Sequence, residues 1–284
     1  MPLIEYNARM LAELTRKHDL NGAFCTFGRL YPVQGITFDL ARDILAETGH
    51  ADTGNAVLDA AGGAGDDPIP DEHLLFRALG FDVSESLDAL PDEQPTHLCD
   101  LNRPTLPDEI YNRFDLVYNN GTLEHVFHVP NMLANMTKML KVGGVAAHVL
   151  PVNNHVGHGF YQFSPNMAFD YYHKNGFDIL DSWVIRYENK AAETPRRRWR
   201  GDFFKPYEQE DPSALDGRMD AAIYAQVFAA RKTDRSTTDR IPQQGEYANS
   251  HYARQLPSKM ELVQHVQKLS AALMQAKALL QQQR

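Results

Sequence analysis

From Val83 onward, short apolar runs alternate with helix-patterned stretches, and this alternation limits the possible folds more than any other feature of the chain. Val83–Leu87 reads as a strand ending at Asp88, and Thr96–Cys99 as a second ending at Asp100. Phe114-Asp115-Leu116-Val117-Tyr118 is a third. A helix over about residues 130–141, a Gly143-Gly144 stop and an apolar strand Val145–Leu150 follow it. Strands separated by helices form a parallel sheet covered on both faces, so an α/β architecture is expected.

The flanks extend this pattern. Residues 3–19, with Ile4, Leu11 and Leu14 near helical spacing, form an N-terminal helical cap (1–21) stopped by Asn21-Gly22. Ala23–Phe27 is a buried strand ended by Gly28-Arg29. Residues 37–48 are a helix with Thr37 as N-cap and Gly49 as stop. The stretch 49–70 is rich in Gly, Ala, Asp and Pro and reads as loop, before a short helix Asp71–Leu79. Ser164-Pro165 opens a helix reaching Asn175, and strands over 177–187 and 221–231 enclose a basic, aromatic loop. The body is thus read as 22–232, followed by a polar linker, 233–257. Ser258-Lys259-Met260-Glu261 is a capping box for a last helix over 258–284. Leu262, Val266, Leu269, Leu273, Ala276 and Leu280 step along that helix as a heptad seam, which either packs on the body or self-associates.

Composition excludes several classes. With 284 residues and a formal net charge of −9, the chain lacks the positive footprint that nucleic-acid binding needs. Cys25 and Cys99 are the only cysteines, so no disulfide framework is implied and a reducing cytoplasm fits. The N-terminus is not patterned as a signal peptide, and no apolar run approaches the roughly 20 residues of a membrane span.

Residues 114–151, FDLVYNNGTLEHVFHVPNMLANMTKMLKVGGVAAHVLP, carry the most specific signal. The segments Phe114-Asp115-Leu116-Val117, Leu123-Glu124-His125-Val126 and Leu140-Lys141-Val142-Gly143-Gly144 resemble the second half of class I S-adenosylmethionine-dependent methyltransferases. His158-Gly159-Phe160-Tyr161 and Asn175-Gly176-Phe177 add to the likeness. Phe76-Arg77-Ala78-Leu79-Gly80, Ser86-Leu87-Asp88 and Asp100-Leu101-Asn102 are similar to a subgroup of the type 11 kind whose first strand ends in Gly-Arg. The resemblance implies a Rossmann-like fold with an antiparallel last strand. It also implies S-adenosyl-L-methionine as cofactor and methyl transfer to a small-molecule or sugar-type acceptor. A methyltransferase-like scaffold with weak or no activity, associating through its C-terminal helix, is the competing reading. A nicotinamide dehydrogenase is disfavoured because neither 22–35 nor 59–66 spells its glycine turn.

By the resemblance, Asp88 would hold the ribose hydroxyls and Asp100, with Leu101, the adenine. The alternative is that each aspartate caps a loop. Gly28, Arg29, Asn119 and Gly121 complete the expected cofactor set. Glu124 and His125 are the first candidates for a general base, or else fix the loop they start. His158 is a further base candidate, because histidine titrates near neutral pH. His155 and Tyr161 are expected on the acceptor side, with Arg197 and Trp199 of the Arg196–Arg200 cluster as an anion site or a solvated loop. Cys99 reads as a small core residue. No metal is expected: the histidine spacing matches no closed zinc pattern, and Gly121 stands where a quinone-biosynthesis branch of the family has a metal-binding Glu.

One stretch stays ambiguous. AVLDAAGGAGDDP, residues 56–68, spells a strand followed by Gly63 and Gly65, which is close to the family's cofactor loop. Two acids and two prolines follow where a helix should start. The stretch is therefore read as a mobile insertion near the site, with Gly63 and Gly65 as the alternative cofactor loop.

Overall fold

The computed structural model describes residues 3–187, 201–203 and 222–245. Eight strands form one sheet in the order β3-β2-β1-β4-β5-β8-β6-β7. They are β1 (Ala23–Phe27), β2 (Val83–Asp88), β3 (His97–Leu98), β4 (Phe114–Asn120), β5 (Leu140–Asn153), β6 (Asp178–Tyr187), β7 (Gly201–Phe203) and β8 (Ile223–Arg231). Pairing is parallel from β3 through β5, and β8 runs antiparallel between β5 and β6. The mostly parallel sheet with an antiparallel final strand is as expected. The short edge strand β7 lies inside the segment read as loop.

The helices are α1 (Glu5–His18), α2 (Phe38–Thr48), α3 (Ala51–Ala61), α4 (Glu72–Ala78), α5 (Val129–Met139) and α6 (Pro165–Lys174). Side chains alternate across each strand and build a core on both faces of the sheet. Phe24, Leu116, Tyr118, Val145 and Ala147 pack with α1 to α4. Cys25, Phe27, Val117 and Ala146 pack on the other face with Met132, Met136 and Tyr172. Both cysteines are free and buried.

Three expectations need correction. Residues 51–61 are helix α3, not loop, so the run before Gly63 is not a strand. Gly54, a breaker by composition, is a packing residue. A methyl there would lie 2.7 Å from the Ala78 carbonyl oxygen and 2.8 Å from Leu45, so only glycine lets α3 approach α2 and α4. The Gly143-Gly144 pair, read as a stop between helix and strand, lies inside β5, where Gly143 N–H donates to the Lys232 carbonyl at 2.8 Å. Residues 233–240, read as linker, are held on the turn after α6. Asn175 Oδ1 accepts from Arg240 N–H at 3.1 Å and Thr237 Oγ1 at 2.9 Å.

The cap helix α1 and the sheet belong to one compact unit that extends to Ile241. The heptad helix at 258–284, Arg197 and Trp199 lie outside the described residues. Among the described residues no helix is long and apolar enough to cross a membrane.

Candidate active site

Parallel strands end on one edge of a sheet, and the loops leaving β1, β2, β3, β4 and β5 therefore meet there. Gly28, Asp88, Asp100, Glu124 with His125, and His155 with His158 all occupy those loops or strand ends. Their convergence follows from topology alone.

The β1–β2 half of this edge is built around Gly28. Its φ is +73°, and its N–H donates to the Leu87 carbonyl at 2.7 Å. A Cβ on Gly28 would sit 3.1 Å from Thr122 Oγ1 and 3.7 Å from Asp88 Oδ2, so the glycine leaves a slot between those two side chains. Thr122 Oγ1 also donates to the Phe27 carbonyl at 2.6 Å, tying the β4 loop to the end of β1. Asp88 Oδ1 accepts the Leu90 N–H at 2.9 Å. Asp100 Oδ1 accepts the Asn102 N–H and side-chain amide at 2.9 and 3.0 Å, bonds that hold its pKa below the ordinary value. Leu101 is buried behind it. Arg29 points elsewhere: its guanidinium makes a bidentate pair with Glu72 of α4 at 2.8 and 3.0 Å.

The β4–β5 half carries a different chemistry. Glu124 and His125 form a single 3-10 turn after β4, and His158 comes from the loop after β5. Glu124 is 1% exposed, and burial pushes its carboxyl pKa up to about 7. Its Oε1 lies 3.5 Å from His158 Nε2, and its Oε2 has no hydrogen-bond partner among the described residues. The rings of His125 and His158 are 5.0 Å apart, and those of His155 and His158 are 5.6 Å apart. Desolvation, reinforced by His158, lowers the pKa of both His125 and His155. Phe127 and Phe160, 62% and 65% exposed, meet edge to face beside this cluster. Tyr161 Oη donates to the Phe127 carbonyl at 3.0 Å.

Behind the turn lies a buried polar chain in which Asn119, expected at the cofactor, instead joins His148 and Tyr172. Asn119 Oδ1 accepts the N–H groups of Thr122 and Leu123 at 3.1 and 3.0 Å, holding the turn that presents Glu124. Gly121, with φ +73°, makes the bend. Asn119 Nδ2 donates to His148 Nδ1 at 3.2 Å, directly across the β4–β5 ladder. That bond fixes the neutral tautomer, so His148 Nε2–H faces Tyr172 Oη at 2.7 Å, and Tyr172 donates on to Met136 Sδ at 3.4 Å. The available signal was a histidine inside an otherwise apolar strand, at a register position opposite an asparagine.

The second glycine loop has another job. Gly62, with φ +77°, ends α3, and a Cβ on Gly63 would lie 2.1 Å from the Phe38 ring. The carbonyls of Asp67 and Gly65 accept the N–H groups of Phe38 and Asp39 at 2.9 and 3.1 Å, and Thr37 Oγ1 accepts that of Leu40 at 3.2 Å. The loop caps the first turn of α2 with the protein's own oxygens.

The sequence profile of a family described as a methyltransferase domain matches residues 33–205. Among curated proteins none matches the chain. TehB from Haemophilus influenzae is 15% identical over 68% of this chain and 67% of its own, with a TM-score of 0.39. The 1,6-didemethyltoxoflavin-N1-methyltransferase of Burkholderia thailandensis is 14% identical over 80% and 79%, at 0.40. A 16S rRNA (adenine(1408)-N(1))-methyltransferase from Catenulisporales acidiphilia is 8% identical over 78% and 90%, at 0.35. Likeness at these scores says nothing of the acceptor.

Proposed function

The chain belongs to the methyltransferase-domain family, and from that premise we propose that it transfers the methyl group of S-adenosylmethionine to an oxygen or nitrogen of a small-molecule acceptor. One observation carries this reading: the carboxyl edge is divided into two chemically distinct halves. The β1–β2–β3 half offers a glycine slot beside the strand-end carboxylate of Asp88, with Asp100 in the loop after β3, groups suited to a nucleoside with a ribose diol and an exocyclic amine. The β4–β5 half offers Glu124, His125 and His158, groups that can polarise or deprotonate a nucleophile.

The residues fit the cofactor. A Cβ would fill the slot at Gly28, so the backbone there is open to close approach, with Asp88 beside it. Asn119 and Gly121 act one step back, by shaping the turn between the two halves. Arg29 braces α4 through Glu72. The cofactor supplies an electrophilic methyl on a sulfonium, and the protein's task is to place the acceptor atom in line with it. Phe127 and Phe160 give that acceptor an apolar wall, and the net charge of −9 disfavours a polyanionic one. Two free cysteines fit a reducing cytoplasm.

Titration calorimetry with S-adenosylmethionine and S-adenosylhomocysteine tests the proposal. Saturable one-to-one binding that weakens in Asp88→Ala supports it. Folded protein giving no heat at millimolar cofactor overturns it and leaves the scaffold reading.

A further inference from the structure

We propose that Glu124, His125 and His158 form a site for a divalent transition-metal ion, suited to Zn2+, whose open positions take the nucleophilic oxygen of the methyl acceptor. The acceptor's part rests on the function proposed above; the metal site stands on its own geometry.

Each of the three side chains offers one donor atom, and all three atoms lie within 4.8 Å of one another. In a tetrahedral zinc site with bonds of about 2.0–2.1 Å, neighbouring ligand atoms are roughly 3.3 Å apart. Glu124 Oε1 and His158 Nε2, at 3.5 Å, are already near that separation. The side chains of His125 and His158 are exposed, so side-chain rotation is free to bring the remaining donor separations, none above 4.8 Å, toward that value.

A second, independent observation points to a ligand. Glu124 is 1% exposed, yet its Oε2 has no hydrogen-bond partner among the described residues. Buried carboxylates are normally compensated, and a cation bound by this carboxylate would compensate its charge where no hydrogen bond reaches Oε2. Two imidazoles with one carboxylate are also a donor set known from catalytic zinc, and they select against magnesium, which prefers oxygen and water.

The backbone holds the donors in register. Phe160 N–H donates to the Glu124 carbonyl at 2.8 Å, and Tyr161 Oη to the Phe127 carbonyl at 3.0 Å, so the loops after β4 and β5 are clamped on either side of the cluster. The clamp explains how residues 124 and 158, distant in sequence, act together without a closed zinc spacing.

The site defines an acceptor class: a hydroxyl compound able to coordinate through oxygen. Coordination lowers the pKa of the hydroxyl, and its proton leaves to solvent. The oxygen lone pair then forms the O–CH3 bond as the S–CH3 bond breaks. The electron pair of that bond stays on sulfur, which passes from sulfonium to neutral thioether.

The test uses the full chain, stripped with a chelator and titrated with Co2+ and then Zn2+ while visible d–d absorption is followed. One cobalt per chain, an absorption typical of four or five ligands, and displacement by one Zn2+ are expected. Affinity should fall at least about tenfold in both Glu124→Gln and His158→Ala, with circular dichroism and S-adenosylmethionine binding unchanged. Saturable binding indifferent to both substitutions overturns the proposal, as does absence of binding in protein that still binds S-adenosylmethionine. If cobalt binds as expected and S-adenosylmethionine does not, the metal site stands and the transferase reading fails.

Discussion

Gly159 lies directly against the backbone of Glu124: a Cβ at 159 would come within 2.8 Å of the Glu124 carbonyl oxygen and 3.1 Å of its Cγ. The same carbonyl accepts the N–H of Phe160 at 2.8 Å. Contact between the two loops therefore depends on residue 159 having no side chain. Gly159→Ala must push the loop after β5 outward and carry His158 away from Glu124. The expected outcome is intact folding, with a Tm loss of a few degrees, about 1 kcal/mol, and at least a tenfold loss of Co2+ affinity. Unchanged metal affinity in a folded Gly159→Ala protein would show that this contact does not organise the site.

The two glycine turns should respond differently to substitution. Gly28 sits at φ +73° in the slot between Thr122 and Asp88, so Gly28→Ala both strains the backbone and fills the slot. S-adenosylmethionine affinity should fall by at least about tenfold, roughly 1.4 kcal/mol, in protein that retains its circular dichroism spectrum. Gly63→Val instead drives a side chain into the Phe38 ring and should lower Tm strongly. Whatever Gly63→Val protein remains folded should bind the cofactor normally. Calorimetry on folded protein separates the two, and the reverse pattern would move the cofactor to the second loop.

These two turns also show how far the sequence could be read. The strand end at Asp88, the Thr37 cap and the helix opened by Ser164-Pro165 were legible because each rests on a local rule that packing then reinforces, whereas the strand expected to end at Asp100 shrinks to His97–Leu98. Helix α3 was not. Its Gly54 is a helix breaker in isolation and is tolerated because α2 and α4 press against it. Gly143-Gly144 misled for a similar reason: the pair reads locally as a helix stop, but α5 already ends at Met139, and Lys232 of the distant C-terminal strand region pairs with Gly143 inside β5. At the site, Glu124, His125 and His158 were each visible as chemical types. Their meeting was not visible, because it depends on a β4–β5 register and on a glycine contact spanning more than thirty residues.

Arg29 and Glu72 should behave as a structural pair. Glu72 is 2% exposed and Arg29 takes both its oxygens, so Arg29→Ala leaves a buried carboxylate uncompensated. Breaking such a pair costs about 3 kcal/mol, somewhat less here because Glu72 stands in the first turn of α4, where the helix dipole favours negative charge. Denaturant unfolding should show that loss, while the folded variant keeps its S-adenosylmethionine affinity within about threefold, or 0.65 kcal/mol. A large affinity loss without destabilisation would return Arg29 to the cofactor site.

His148 should make stability depend on pH. It is fully buried, and burial lowers its pKa from 6.5 to about 3. Protonation would also set an Nδ1–H against the Asn119 amide, which is itself the donor in that bond. Because the folded pKa is below the unfolded one, the unfolded chain binds the extra proton first as pH falls. The contribution of neutral His148 is complete above about pH 6.5 and declines steadily toward pH 3, by as much as about 4–5 kcal/mol. Glu124 in metal-free protein acts in the opposite sense: its raised pKa makes stability fall as pH climbs from about 4.5 to 7. Wild-type unfolding curves therefore mix two opposed slopes. The quantity to read is the difference between wild type and His148→Gln, in which Glu124 cancels. Urea unfolding at pH 7.5, 5.5 and 4.5 should show wild type losing about 1 kcal/mol more than the variant for each pH unit below 6.5. A difference independent of pH would mean that His148 is not held neutral between Asn119 and Tyr172.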